Sequence, residues 1–297
     1  MPSTNPTKEQ IRKLKTEYAR LCKGKESLLK IIDESEVSES VFNSNAIENS
    51  TLTLKETERI LLELEISRDI SVREVFEAKN LARVMEYTRS KSGDADLTSE
   101  LLLLLHKMLL GNINDDYAGR FRRAGEYVRV GTYIAPAPEK VESLIESITI
   151  DYNVDEETYF VDRIAKFHLE FESIHPFCDG NGRMGRVIIN YQLSRFGYPS
   201  IIIRNKEKRD YYEAFGEYHG SKKTKLMESI LSLALMESLH KRLAYLRGDT
   251  IVPLADFAKK QQKSLNTLLN AARRQTIAAF REKGVWKIGN HDLKSHS

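Results

Sequence analysis

The chain has 297 residues, 41% hydrophobic and 30% charged, with a formal net charge of +3, which fits an ordered globular protein of more than one compact unit and excludes fibrous and disordered classes. Its longest apolar run, Leu101 to Leu105, falls far short of the ~20 residues of a bilayer span, and the opening MPSTNPTKEQIRKLK has no apolar export signal, so a cytoplasmic protein with no membrane partner is expected. Two cysteines, Cys22 and Cys178, form neither a zinc-type cluster nor a disulfide framework.

From Thr7 to Glu34 the apolar residues Ile11, Leu14, Tyr18, Leu21, Leu28 and Ile32 recur at helical spacing and predict one amphipathic helix, followed by a short helix from Glu36 to Glu48. Capping-box pairs, Thr53 with Glu56 and Ser71 with Glu74, open two further helices that are expected to reach Leu64 and Tyr87. Ser99 to Leu110 is helical again. The pattern then changes: Ala118 to Pro138 carries the strand formers Tyr127, Val128, Val130, Tyr133 and Ile134 among helix breakers, and predicts a β-hairpin or flap. Helices return over Val141 to Tyr152, Asp162 to Ile174, Arg183 to Phe196, Arg209 to Tyr218 and Leu226 to Arg247. Beyond a linker-like Arg247 to Thr250, Leu254 to Lys260 reads as a short helix, Ser264 caps another to about Arg274, and TIAAFREKGVWKI reads as two strands about a turn. Residues 251–297 hold nine basic against three acidic side chains, an asymmetry that points to an anionic partner.

The densest chemistry lies in HPFCDGNGRMGR, His175 to Arg186. Pro176 ends a helix at His175 and fixes the imidazole there. The turn Asp179-Gly180-Asn181-Gly182 leads into the next helix and aims backbone N–H groups and the positive helix end at one point, an anion nest. Arg183 and Arg186, three residues apart, place two guanidinium forks beside it, which suits a polyphosphate. Asp179 is an oxygen ligand of the kind Mg²⁺ takes alongside phosphates, and His175 is a base for a hydroxyl proton.

This stretch matches the Fic family motif HPFx(D/E)GNGRxxR at every defined position, and AGRFR at 118–122, VRVGTYIAPAP at 128–138, FHLEFESIHPF at 167–177 and GYPSIIIRNKEKRDYYEAF at 197–215 resemble further Fic landmarks. The resemblance implies a mainly α fold: a Fic-type helical bundle with a β-hairpin flap. It also implies transfer of AMP from ATP to a Ser, Thr or Tyr hydroxyl of a target protein, with release of pyrophosphate. Mapped onto this sequence, His175 takes the hydroxyl proton and Asp179 holds Mg²⁺. Gly180, Asn181 and Gly182 cradle the α- and β-phosphates, Arg183 holds them, and Arg186 takes the γ-phosphate. Val128, Arg129, Val130 and Gly131 form the flap edge that pairs with the target, while Tyr211 and Tyr212 flank adenine. His219 stands where some relatives carry an adenine-contacting Asn. Gly180 and Gly182 stand where the phosphorylating Doc branch has Ala and Lys, which favours AMP transfer.

Ser44-Asn45-Ala46-Ile47-Glu48-Asn49 matches the (S/T)xxxE(G/N) inhibitory motif of N-terminally inhibited relatives. It implies that Glu48 pairs with Arg186 and denies it to the γ-phosphate. In some relatives the same glutamate positions a water that removes AMP, so a deAMPylase using the same residues is an alternative. The C-terminal segment resembles an excisionase-like winged helix-turn-helix, which makes DNA a candidate partner and a nucleotide-sensing DNA-binding regulator a further alternative. The expected division is an inhibitory helical region at 1–96, the catalytic core at 97–220, a helical linker at 221–250 and the winged helix at 251–297. The partners implied are ATP and a target protein, with self-modification and a homodimer among the readings.

Overall fold

In the computed structural model, which describes residues 5–65, 69–91, 96–131 and 133–290, the N-terminal helices divide at Gly24. Helix α1 covers Asn5–Leu21 and α2 covers Glu26–Ile47, so the expected helix through Glu34 breaks ten residues early and the expected break near Ser35 is absent. Gly24 takes φ +73°, a conformation that ends a helix, and its N–H donates to Glu26 Oε1 at 3.0 Å, which starts the next one. Apolar periodicity passed over this break because Leu21 and Leu28, on either side of it, happen to keep the spacing.

Helix α3 (Leu54–Leu61) begins on the capping box: Glu56 N–H donates to Thr53 Oγ1 at 3.2 Å and Thr53 N–H donates to Glu56 Oε2 at 2.7 Å. It ends three residues before Leu64, and Glu63 turns to φ +58°. Helix α4 (Val72–Lys91) outlasts its expected end at Tyr87 by one turn, and α5 (Ser99–Leu110) keeps its predicted bounds, with Leu101 N–H donating to the Thr98 hydroxyl. Strands β1 (Arg129–Val130) and β2 (Tyr133–Ile134) pair antiparallel as the flap; Thr132 at its tip lies outside the described residues. Helices α6 (Val141–Val154), α7 (Phe160–Ile174), α8 (Asn181–Arg195), α9 (Lys208–Ser221) and α10 (Lys225–Arg247) follow.

The chain separates into two compact units. The first comprises residues 37–198 and 203–228. There α7 packs on α6, α8 and α9, and α8 on α4, around buried Leu81, Leu102, Leu105, Phe167, Phe171, Ile188 and Tyr191. The apolar periodicity of these helices is the physical cause of that arrangement. A buried pair, Glu39 with Arg204, ties α2 to the segment before α9.

The second unit comprises residues 3–36, 199–202 and 229–297. Its C-terminal part runs β3 (Thr250–Pro253), α11 (Leu254–Lys260), α12 (Leu265–Arg273), β4 (Ala279–Glu282) and β5 (Val285–Asn290), with sheet order β3-β5-β4, all antiparallel. Strand β3 replaces part of the expected linker; four residues capped by Pro253 carry too little pattern to announce a strand, and only β5 gives them a partner. Leu254, Ala258, Leu268, Ala272, Ala279 and Ile288 form a small core, against which Trp286 packs. Deeper in this unit Arg242 is fully buried and donates to Asp33 and Glu36. No described helix is long and apolar enough to cross a membrane.

Candidate active site

Helices α7 and α8 are joined by six residues, and the shape of that loop follows from a few local constraints. His175 caps α7 in the left-handed conformation, φ +50°, with its N–H on Phe171 O at 2.9 Å. Arg122 holds this turn from outside: its guanidinium donates to the carbonyls of Ile174, His175, Glu126 and Pro136, and its own N–H donates to Pro176 O. These bonds satisfy carbonyls that a helix end leaves open. Gly180 opens α8 at φ +81°, and a Cβ there would come within 2.9 Å of Leu110 Cδ2, so two constraints require glycine.

Asn181 closes the loop. Its Nδ2 donates to Phe177 O at 2.8 Å and its Oδ1 accepts from Phe177 N at 2.9 Å. The Asn181 side chain is thus spent on the loop itself, and what Asn181 can offer an anion is its backbone N–H at the start of α8. Phe177 stacks on His106 with ring centroids 3.7 Å apart. Gly119 N–H donates to His106 Nδ1, which leaves Nε2 to donate to Asp179 O, both at 3.0 Å. Burial lowers the His106 pKa to about 4, so the ring stays neutral and keeps that tautomer.

His175 lies in a cleft of about 230 Å³ lined also by Asn45, Glu48, Arg73, Glu77, Cys178, Asp179, Gly180, Asn181, Gly182 and Arg183. Burial lowers its pKa to about 4, an effect that the Glu172 backbone opposes, so at neutral pH the imidazole is an unprotonated base. Its Nδ1 is 3.9 Å from Glu172 Oε2. Burial, then the nearby Glu48 charge, raises the Glu172 carboxyl to about 8 against the pull of Arg186. Glu172 is therefore predominantly protonated at pH 7. Burial, then Glu126, lifts the Cys178 thiol to about 11, which argues against a thiolate nucleophile.

The two motif arginines part company. Arg186 is buried and turned away from the cleft: Nε donates to Ser44 Oγ at 2.9 Å, while Nη2 donates to Ser44 O at 2.9 Å and to Glu48 Oε1 at 2.8 Å. Burial alone would lower its pKa, but Tyr211, Glu48 and Glu172 hold it above the usual value. Gly182 sits inside α8 with no unusual backbone, and its part is spatial: a Cβ there would stand 2.2 Å from Glu48 Oε1. Asn49 ends the turn after α2 at φ +69° and its Oδ1 accepts from Lys208 Nζ at 2.7 Å.

Arg183, by contrast, faces the cleft and lies between two carboxylates, Asp179 Oδ1 at 3.2 Å and Glu77 Oε1 at 3.2 Å. Arg73 reaches the same pair from α4, through Nη2 to Asp179 Oδ2 and Nε to Glu77 Oε1. Asp179 is the one aspartate lining the cleft and is partly exposed. Among the described residues no group of three or more His, Cys, Asp or Glu side chains forms an all-protein metal cage. A partly exposed carboxylate beside an anion nest, Asp179, fits Mg²⁺ carried in on phosphates.

The tyrosines and the flap are placed separately. Tyr211 is buried with its hydroxyl 2.8 Å from His168 Nε2, while Tyr212 is 44% exposed and donates to Ile47 O at 3.3 Å. Neither lines the cleft. His219 packs on the flap residue Tyr133, with ring centroids 4.3 Å apart. Val128 O accepts from Ala135 N and Arg129 Nε donates to Gly131 O, so the hairpin is closed on itself. On its far side β1 has no neighbouring strand among the described residues. No motif or spacing in the linear chain marks His106, Glu172 or Arg122 as a site residue. Only the helical spacing of Arg73 and Glu77, four apart on one face, hinted at a shared ion pair.

Residues 96–193 match the Fic/DOC family. The chain is 32% identical over 178 residues to the protein adenylyltransferase Fic of Nematostella vectensis, covering 58% of this chain and 41% of that protein. It is 34% identical over 176 residues to the one of Drosophila melanogaster, covering 58% and 35%. The chain thus spans about two fifths or less of the length of these relatives. A Fic domain containing signaling protein from Bacteroides thetaiotaomicron shares the fold at TM-score 0.73 and 24% identity, covering 81% of this chain and 97% of that one. A Fic family protein from Desulfovibrio desulfuricans G20 does so at TM-score 0.63 and 20% identity, covering 98% of both.

Proposed function

We propose, on the premise that residues 96–193 form a Fic domain, that this chain is a protein adenylyltransferase held in check by its own Glu48. The observation that carries the reading is the coincidence of a neutral, cleft-facing His175 with an α8 N-terminus shaped as an anion nest and a guanidinium, Arg186, already engaged by a carboxylate. In the reaction a hydroxyl oxygen of the target forms a bond to the α-phosphorus of ATP and the α–β bridging P–O bond breaks. The hydroxyl proton passes to His175, and pyrophosphate leaves. The backbone N–H groups at Asn181 and Gly182, together with Arg183, bind the phosphates, and Asp179 holds the Mg²⁺, which supplies charge neutralisation on the leaving pyrophosphate. The open edge of β1, at Arg129 and Val130, pairs with the target backbone. Arg186 binds the γ-phosphate once Glu48 releases it.

The test is incubation of the full chain with ATP labelled at the α-phosphate and Mg²⁺, with and without a cell extract. Glu48→Gly is expected to raise incorporation at least tenfold and His175→Ala to lower it by about 10² or more. Self-modification is read in the sample without extract. Equal labelling by wild type and Glu48→Gly would remove the brake from the reading, and full activity in His175→Ala would remove the base.

A second reading concerns the C-terminal part. Lys259, Lys260, Lys263 and Arg274 are exposed and enter no ion pair among the described residues, and Arg273 contacts only Asn270. Such an uncompensated basic face, beside the exposed Asn266, Thr267 and Asn270 of α12, suits duplex DNA in the manner of a winged helix. Anisotropy with a labelled duplex should show binding that weakens steeply with added salt; no binding at 50 mM salt would sink it.

A further inference from the structure

Asp179 carries a guanidinium on each of its two oxygens, Arg183 on Oδ1 and Arg73 on Oδ2. Both oxygens of the carboxylate are thus engaged by cations, and a dication beside two guanidinium groups would meet strong like-charge repulsion. One of the two must therefore yield when a metal binds. Arg183 is the fixed partner: its side chain is 4% exposed and is held between Asp179 and Glu77. Arg73 is the exchangeable one, 55% exposed, on α4 outside the matched domain, with Nε kept on Glu77 Oε1 at 3.0 Å.

We infer that Arg73 is the displaceable counter-ion of Asp179, so that divalent-cation binding at Asp179 and the Arg73–Asp179 ion pair exclude one another. The inference rests on the proposed reading of Asp179 as the metal-holding residue. Glu77 keeps the displaced guanidinium at the mouth of the cleft, where it rejoins Asp179 when the cation leaves. Metal affinity is thereby set by a side chain that the twelve-residue motif does not contain. Arg73 is a positioning residue in this scheme, since it acts on the reacting phosphates only through Asp179.

The measurement is Mn²⁺ binding to the full chain in the presence of saturating ADP, followed by the electron paramagnetic resonance signal of free Mn²⁺. ADP lacks the phosphate that Glu48 is proposed to exclude, so the Arg186 latch does not enter. An exposed ion pair contributes little, so Arg73→Ala and Arg73→Gln should each tighten Mn²⁺ binding by about two- to fivefold over wild type, and Arg73→Lys by less. Thermal midpoints close to wild type would show that the variants are folded, as expected for an exposed side chain. Unchanged or weaker Mn²⁺ binding in both Arg73 variants would overturn the exchange while leaving the adenylyltransferase reading intact. Mn²⁺ binding that is identical in wild type and Asp179→Ala would overturn the metal role of Asp179 and the exchange with it.

Discussion

At one end of the motif Arg186 is buried, bonded to Ser44 and Glu48, and surrounded by Tyr211, His168 and Glu172; at the other, buried Arg183 and exposed Arg73 share Asp179 and Glu77, so that only Arg73 stands in solvent. Both ends neutralise arginine with carboxylate, yet depth gives them different meanings. A buried pair is expensive to break from one side because the remaining charge stays desolvated, whereas an exposed pair exchanges readily. The buried end therefore suits a brake that must hold, and the open end a site that must trade ligands.

The contrast can be broken most severely at Gly185. A Cβ there would stand 2.4 Å from Glu172 Oε1 and 2.6 Å from His168 Cε1, both on buried side chains. Gly185→Ala should cost about 3 kcal/mol by chemical denaturation, against the ordinary helical preference for Ala. Gly216→Ala on α9, where nothing lies within 4 Å, serves as the control and should be neutral or stabilising. Next in size is Ser44→Ala, which removes the acceptor of Arg186 Nε and should cost about 2 kcal/mol, with basal AMP transfer rising because the latch is looser. Equal basal activity in wild type and Ser44→Ala would confine the latch to Glu48.

A smaller effect should appear with pH. The Glu172 pKa is raised in the folded protein, so the native state holds a proton that the unfolded chain has lost; its stabilising contribution is complete below about 4.5 and declines as pH rises toward about 8. His106, His168 and His175 have lowered values, so their contribution is present above about 6.5 and is lost as pH falls toward 4 and 3. Between pH 6.5 and 8 Glu172 is the member of this group that varies. Wild type should lose on the order of 1 kcal/mol across that window, and Glu172→Gln should flatten the slope. Parallel profiles would mean that Glu172 is ionised in place. Least of all, Arg73→Gln at the open end, where the side chain is 55% exposed, should change stability by under about 1 kcal/mol, which a denaturant titration would resolve from the Ser44 value.

The loop between α7 and α8 was legible because its causes are local: proline after His175, glycine at the turn and a helix start within a dozen residues. Glu48 and Arg186 are 138 positions apart, and only a resemblance could join them. Arg73, Glu77, His106 and Glu172 escaped notice because an Arg or Glu on a helix face reads as solvated until a partner from another helix is known. The mainly α architecture was read correctly. The division at Gly24 and strand β3 were missed, the first because apolar spacing continued across the glycine, the second because its partner lies more than thirty residues on.

The two bonds between Asn181 and Phe177 have a consequence for how such a centre is acquired and kept. They convert five consecutive residues into a hydrogen-bonded macrocycle, self-templated in the way an Asx turn is, with its curvature encoded where it is used. Such a ring sets its own curvature, and its surroundings, Arg122 and His106, have only to hold it in place. The curvature of the opening is therefore independent of the residues that line its far wall, Arg73 and Glu77 from α4 and Glu48, and these can change without unmaking the turn.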